Sequence, residues 1–142
     1  MGYHVTYYMA VQIRPEHFAG ALTAINELHN PDNLRAHASG GAYGGGKPRE
    51  IWYAWVSNPG PDGFSTLEEA LQAWRFGTHT LQNDALALYF TGEKHGDEQI
   101  LFERLAPFME GTIKAMGEDG EQWGYCFRDG KIIDLRIQWV EL

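Results

Sequence analysis

The residues best equipped for chemistry lie together in Gly40-Gly41-Ala42-Tyr43-Gly44-Gly45-Gly46-Lys47-Pro48-Arg49. Read from Gly41, this stretch fits G-x-x-x-x-G-K, most of the loop with which nucleotide hydrolases cradle phosphates. A working loop of that kind leaves a strand and enters a helix, so that backbone N–H groups and the helix dipole face the phosphates. It also needs Ser or Thr after the Lys to hold magnesium. Here the pattern predicts a helix before the glycines and a strand after them, and Pro48 stands where the hydroxyl should be. The sequence therefore argues against nucleotide hydrolysis. What survives is an anion cradle: Gly41, Gly44, Gly45 and Gly46 let backbone N–H groups approach, while Lys47 and Arg49 supply charge. The competing reading is a connector whose glycines merely permit unusual backbone angles.

Other chemistry is sparse. His4, His17, His29, His37, His79 and His95 show no metal-ligand spacing, and there is no G-x-S-x-G nucleophile elbow. Asp97 and Glu98, like Glu68 and Glu69, fall in expected first helical turns, where carboxylates suit the dipole. No acid/base pair, metal site or cofactor is expected. Cys126 alternates with Tyr125 and Phe127 in an expected strand, which predicts a buried, inert thiol. Two aromatic–basic clusters stand out, Trp74-Arg75-Phe76 and the strand bearing Trp123, Tyr125, Phe127 and Arg128. Arg75 and Arg128 are poor candidates for burial without a partner. A ligand with a flat ring and anionic groups would suit Arg75 and Trp123 together; ordinary core packing beside surface charge is the alternative.

Positioning these groups requires a scaffold. Tyr3, Val5, Tyr7, Met9, Val11 and Ile13 alternate with polar residues, which predicts a strand with one buried face. Pro15 opens a helix with the stripe Phe18, Leu22, Ile25 and Leu28, and Asn30-Pro31 is read as its stop. A polar, glycine-rich loop is expected over 31–49. Ile51–Val56 is apolar on both faces and predicts a central strand. Ser65 and Glu68 read as the capping box of a second helix with the stripe Leu67, Ala70, Leu71 and Trp74. A third strand over Ala85–Thr91 leads to a third helix bearing Ile100, Leu101, Leu105 and Phe108. The tail predicts a meander over 112–117, 122–128 and 131–140, turned at Asp119-Gly120 and Asp129-Gly130. The expectation is a single α+β domain over residues 1–142, a mainly antiparallel sheet packed by three helices in the order βαβαβαβββ.

Composition narrows the partners. The 142 residues carry a formal net charge of −8, which opposes binding to nucleic acid or anionic lipid. No apolar run suits a membrane span or a leader, and a lone cysteine forms no internal disulfide, so the expected location is the cytoplasm. An aromatic content of 13% exceeds the needs of a small core. Together with Ile51–Val56 and the end of the last strand (Ile137, Trp139, Val140), it predicts a homodimer or higher homo-oligomer.

The segments "SGGAYGGGKPREIWYAWV", "TLEEALQAWRF", "LYFTGEKHGDEQILFERLAPFM" and "MGEDGEQWGYCFRDGKI" resemble, in the same order, a group of small α+β proteins encoded by phages and prophages of actinobacterial type. The shared motifs are S-G-G-x-x-G-x-G, T-L-x-E-A-L-x-A-W-R, G-E-K-x-G-D-E-x-x-L-F-x-x-x-A-P-F and G-E-D-G-x-x-W, within residues 39–131. Where the group has W-R-W-x-F, this chain has Trp123-Gly124-Tyr125-Cys126-Phe127, without the basic residue. The resemblance implies a genetic setting in which small proteins act stoichiometrically. The expected function is a phage-encoded binding protein of the host bacterial cytoplasm, sequestering a small anionic, nucleotide-like molecule as a counter-defence factor. An inhibitor of a host protein, or a small hydrolase or transferase with a dispersed His/acid site, are the alternatives.

Overall fold

Strict alternation makes Val5–Ile13 (β1) the strand on which the fold is organised: Val5, Tyr7, Val11 and Ile13 are buried while Thr6, Tyr8 and Ala10 face outward. A computed structural model describes residues 2–44 and 47–136, of which 41–44, 47–50 and 136 are described through their backbone. After β1 the chain forms a single 3-10 turn at Pro15–His17 and the helix Phe18–Leu28 (α1). There follow the helix Pro31–His37 (α2), the strands Gly40–Gly44 (β2) and Lys47–Trp52 (β3), and the helix Leu67–Ala73 (α3). The strands Phe76–Thr80 (β4) and Leu86–Phe90 (β5) precede the helix Glu98–Leu105 (α4). The strands Met109–Gly117 (β6), Gln122–Arg128 (β7) and Lys131–Arg136 (β8) complete the described chain.

The architecture is α+β: an antiparallel six-stranded sheet in the order β4-β5-β1-β6-β7-β8, a separate β2-β3 hairpin, and four α-helices. One sheet face is sealed by α1, α3 and α4, whose buried Ile25, Leu28, Leu71, Leu101 and Leu105 join Ile13, Ile113 and Phe127 in one core cluster. The other face exposes Tyr8, Tyr89, Met116 and Ile133. The meander is present. Asp129 (φ 55°) and Gly130 (φ 73°) both take the left-handed angles of a tight hairpin turn. The Asp119-Gly120 turn needs a positive angle only at Gly120 (φ 85°).

Several expectations fail for local reasons. The first helix does end before Asn30, at Leu28, but Asn30 also starts another: its side chain accepts from Asn33 N–H (2.8 Å), and Pro31 occupies the first turn of α2. The expected loop over 31–49 is therefore a helix followed by a hairpin, giving four helices instead of three. Ile51–Val56 is not a central strand; β3 ends at Trp52 and belongs to the two-stranded sheet. The cap of α3 lies one residue later than expected, with Thr66 accepting from Glu69 N–H (3.1 Å) and Glu69 reaching back to Ser65 N–H (3.1 Å). Strand β4 was not anticipated at all. Cys126 is half-buried, not buried, because it lies on the outward face of β7. The apolar end at Ile137, Trp139 and Val140 lies outside the described residues.

Candidate ligand site

The last turn of α3 ends at Trp74, and Arg75 takes a left-handed backbone (φ 70°) that turns the chain straight into β4. Its side chain then crosses the loop 92–98. The Nη1 group donates to Lys94 C=O (2.8 Å), Nη2 is ion-paired with the Glu98 carboxylate, and the guanidinium lies 5.0 Å from the Phe90 ring centroid. Close passage explains two glycines of the loop. A Cβ on Gly92 would come within 2.8 Å of Nη1, and one on Gly96 within 3.1 Å of Nη2.

Glu98 is 1% exposed. Its Oε2 accepts from Gly96 N–H (2.8 Å) and from the Tyr7 hydroxyl (3.4 Å), while His95 Nε2 lies 4.0 Å away. Burial, with the Glu98 charge next, drives the Tyr7 phenol far above its ordinary pKa, so Tyr7 stays a donor. Burial also presses the Arg75 pKa downward, and the Glu98 carboxylate opposes that shift. Both Glu98 oxygens are thus engaged, which makes the residue an anchor and not a free base.

Neighbouring Asp97 ties in the glycine-rich segment. Its Oδ2 accepts from Ser39 N–H (3.3 Å), Ser39 Oγ–H (2.9 Å) and Ala54 N–H (2.8 Å). The loop also pairs with the start of the chain through Val5 N–H to Glu93 C=O (3.0 Å) and His95 N–H to Tyr3 C=O (2.7 Å). One loop therefore gathers residues of all four motif segments: Ser39, Arg75, Gly92 to Glu98, and Trp123, which stands edge-on to His95 at 5.7 Å.

Beyond Asp97 lies a corner of different character. The register of the β2–β3 hairpin steps from Ala42 opposite Glu50 to Tyr43 opposite Pro48, so Arg49 is the extra residue of a bulge. Pro48, which has no N–H to give a ladder, is tolerated beside it. Tyr53 then plunges into the core and donates its hydroxyl to Leu28 C=O (2.7 Å). The next residue but one swings out: Trp55 is 54% exposed and sits at φ 66°, an angle that costs a bulky side chain energy. Trp52 and Trp55, with Val56, Ser57 and Asn58, line a groove of about 450 Å³.

The floor of this corner is fixed by a relay. Asn58 Nδ2 donates to Ile51 C=O (2.7 Å), Asn58 Oδ1 meets His29 Nδ1 (2.8 Å), and Trp74 Nε1–H donates to His29 Nε2 (3.0 Å). Because Nε2 must accept from Trp74, the ring proton sits on Nδ1 and His29 is neutral. Burial lowers its pKa accordingly.

Comparison with protein-family models, curated proteins and solved structures returns no match. The reading of the site rests on its geometry.

The candidate residues divide. Gly41 and Gly44 lie in β2, and Lys47 and Arg49 in β3; Gly45 and Gly46 lie outside the described residues. Lys47 opens a strand, not a helix. Arg75 and Trp123 reach the same loop, one through Glu98 and Lys94, the other through His95, while Trp52 and Trp55 join the hairpin to the groove. Sequence reasoning missed Asp97 and Glu98 as anchors and read them as helix-dipole partners. One signal was available. Glu98 lies three and seven residues before Leu101 and Leu105, on the buried stripe of α4, where a carboxylate demands a partner. Among the described residues no group of three or more His, Cys, Asp or Glu is placed to hold a metal, and no helix is long and apolar enough to cross a membrane.

Proposed function

We propose that the protein is a non-catalytic, phage-type binding protein that captures a small molecule bearing a flat ring and anionic groups, of which a nucleotide is the model. The observation that carries this reading is Trp55, exposed and held at φ 66° in a groove that Trp52 also lines. A strained, solvent-facing indole contributes little to a core, and strain of this kind persists at sites selected for recognition. A flat ring would stack between or upon the two indoles, each worth about 1–3 kcal/mol per stacked base. The same segment carries Lys47 and Arg49 on β3, the strand that ends at Trp52. Since Glu98 already meets the Arg75 charge, the ligand's anionic groups fall to Lys47, Arg49 and the hairpin backbone. Removing such a molecule from a host would act as counter-defence.

The test is calorimetry with AMP, ADP, NAD and cyclic di-AMP, alongside mass spectrometry of small molecules released on denaturing protein purified from its host. Binding of at least one nucleotide is expected, weakened on the order of 100-fold or more by Lys47→Ala/Arg49→Ala, because each charge-assisted hydrogen bond is worth about 1.5–3 kcal/mol. An intact affinity in that double variant, or no nucleotide binding at all, overturns the reading. The uncovered sheet face bearing Tyr8 and Tyr89 favours a second one, inhibition of a host protein.

A further inference from the structure

A second concave surface lies on the other flank of the loop 92–98, and its chemistry is opposite. A cleft of about 320 Å³ is lined by Tyr3, His95, Gln99, Glu121, Trp123 and Tyr125. His95 stands edge-on to both Tyr3 (86°, 6.4 Å between centroids) and Trp123 (83°, 5.7 Å). Edge-to-face contacts of this kind are a favoured packing geometry and fix the three rings relative to one another at the rim of the cleft. Three different parts of the chain build these walls: the approach to β1, the loop and first turn of α4, and β7.

The polar surroundings are acidic. Glu121 lines the cleft, and the Tyr3 hydroxyl donates to the Asp119 carboxylate. Asp134 sits opposite Tyr125 across the β7–β8 ladder. Hydrogen bonding to Asp119, with lesser help from burial and Glu121, pushes Tyr3 up to about 12. Burial, followed by Asp134, raises Tyr125. Among the described residues neither Lys nor Arg lines the cleft, and His95 is the one basic side chain among them. An anion finds no Lys or Arg among these side chains. A cation finds the negative faces of aromatic rings and a carboxylate beside them.

We propose that this cleft binds an organic cation, an alkylated ammonium or a guanidinium group set against the aromatic walls with Glu121 as counter-charge. Tyr3 contributes more than an ordinary phenol, since donating its proton to Asp119 enriches its ring in electrons. The group comes either from a free small amine or from a basic side chain of a protein partner; the chemistry of recognition is shared.

The test follows the Trp123 indole N–H by NMR, assigned with Trp123→Phe, at constant ionic strength. Tetramethylammonium and methylguanidinium are titrated against neopentyl alcohol, an uncharged match for the first. A saturable shift with at least one cation is expected, with the alcohol about tenfold weaker or worse. Glu121→Gln, a change on an exposed side chain, should weaken the cation about threefold and leave the alcohol unchanged. Equal response to the alcohol, absence of saturation, or indifference to Glu121→Gln overturns the proposal. Spermidine and a capped trimethyllysine peptide then distinguish the sources: tighter binding of the amine assigns a metabolite, tighter binding of the peptide a protein partner, and either result supports the site.

Discussion

The Arg75–Glu98 clasp and the Trp52–Trp55 corner are joined by Asp97, yet they use charge and glycine to opposite ends. In the clasp, glycines give room for a buried guanidinium, and every carboxylate oxygen of Glu98 is engaged. In the corner, a hairpin stands apart from the main sheet, an indole projects outward, and backbone strain is retained. The lesson is that motif residues gathered around one loop need not share one task. The clasp fixes the loop; the corner presents a surface. Substitutions should separate these roles cleanly, since clasp changes act on stability and corner changes act on binding.

The largest effect is expected from Arg75→Ala. Removing one partner of a buried pair strands the other charge, at a typical cost of about 3–5 kcal/mol. Urea denaturation should register that loss, and adding Glu98→Gln to Arg75→Ala should recover part of it, because the stranded charge is then gone. A loss below about 1 kcal/mol for Arg75→Ala would mean that the clasp does not hold the loop, and the comparison would collapse.

The uneven visibility of these regions in the sequence has the same physical root. Alternation in β1, the stripes of α1 and α3, and the Asp-Gly turns were legible because each depends on neighbours a few residues away. Strand β4 was not, because Arg75 performs without glycine the left-handed turn that usually marks a helix end. Asn30-Pro31 carries the chemistry of a helix start as well as of a stop, and the chain uses both: α1 ends at Leu28 and the Asn33 hydrogen bond opens α2. In "EIWYAWV" the apolar residues are apolar for unlike reasons: Tyr53 is core, Trp55 is surface, and pattern alone treats them alike. The pairs Arg75–Glu98, Ser39–Asp97 and His95–Trp123 join distant positions, so even where a local pattern shows that Glu98 needs a partner, nothing local names which one.

A middle-sized effect tests the relay that supports the corner. His29 is held neutral, with a pKa lowered by burial, whereas the unfolded chain takes up the proton near the ordinary 6.5. Below that pH the unfolded state binds more protons, so stability falls as pH drops from about 6.5 toward the folded pKa, by at most about 1.4 kcal/mol per pH unit from this group. The loss levels off once the folded histidine also protonates. Above about 6.5 the contribution is complete. Urea midpoints at pH 7.5 and 5.5 should show a steeper decline for the native chain than for His29→Gln, in which the other histidines still titrate. Equal slopes would show that burial and the Trp74 hydrogen bond do not hold the ring neutral.

The smallest effect is the most discriminating. At most positions glycine is less stable than alanine, because it gives the unfolded chain more freedom. Residue 55 should reverse that order. At φ 66° any Cβ crowds the following carbonyl, at about 1–2 kcal/mol, and glycine escapes the penalty. Trp55→Gly should therefore be more stable than Trp55→Ala by about 1 kcal/mol once the unfolded-state term is subtracted. Both variants should lose nucleotide binding, since both lose the indole that lines the groove together with Trp52. Alanine more stable than glycine would remove the evidence of strain. Retained binding in either variant would remove Trp55 from the ligand site. If instead stability rises from alanine to glycine while binding stays absent in both, then the native tryptophan is kept at a backbone angle that a smaller residue would relieve. In that case recognition, and not folding, accounts for its presence.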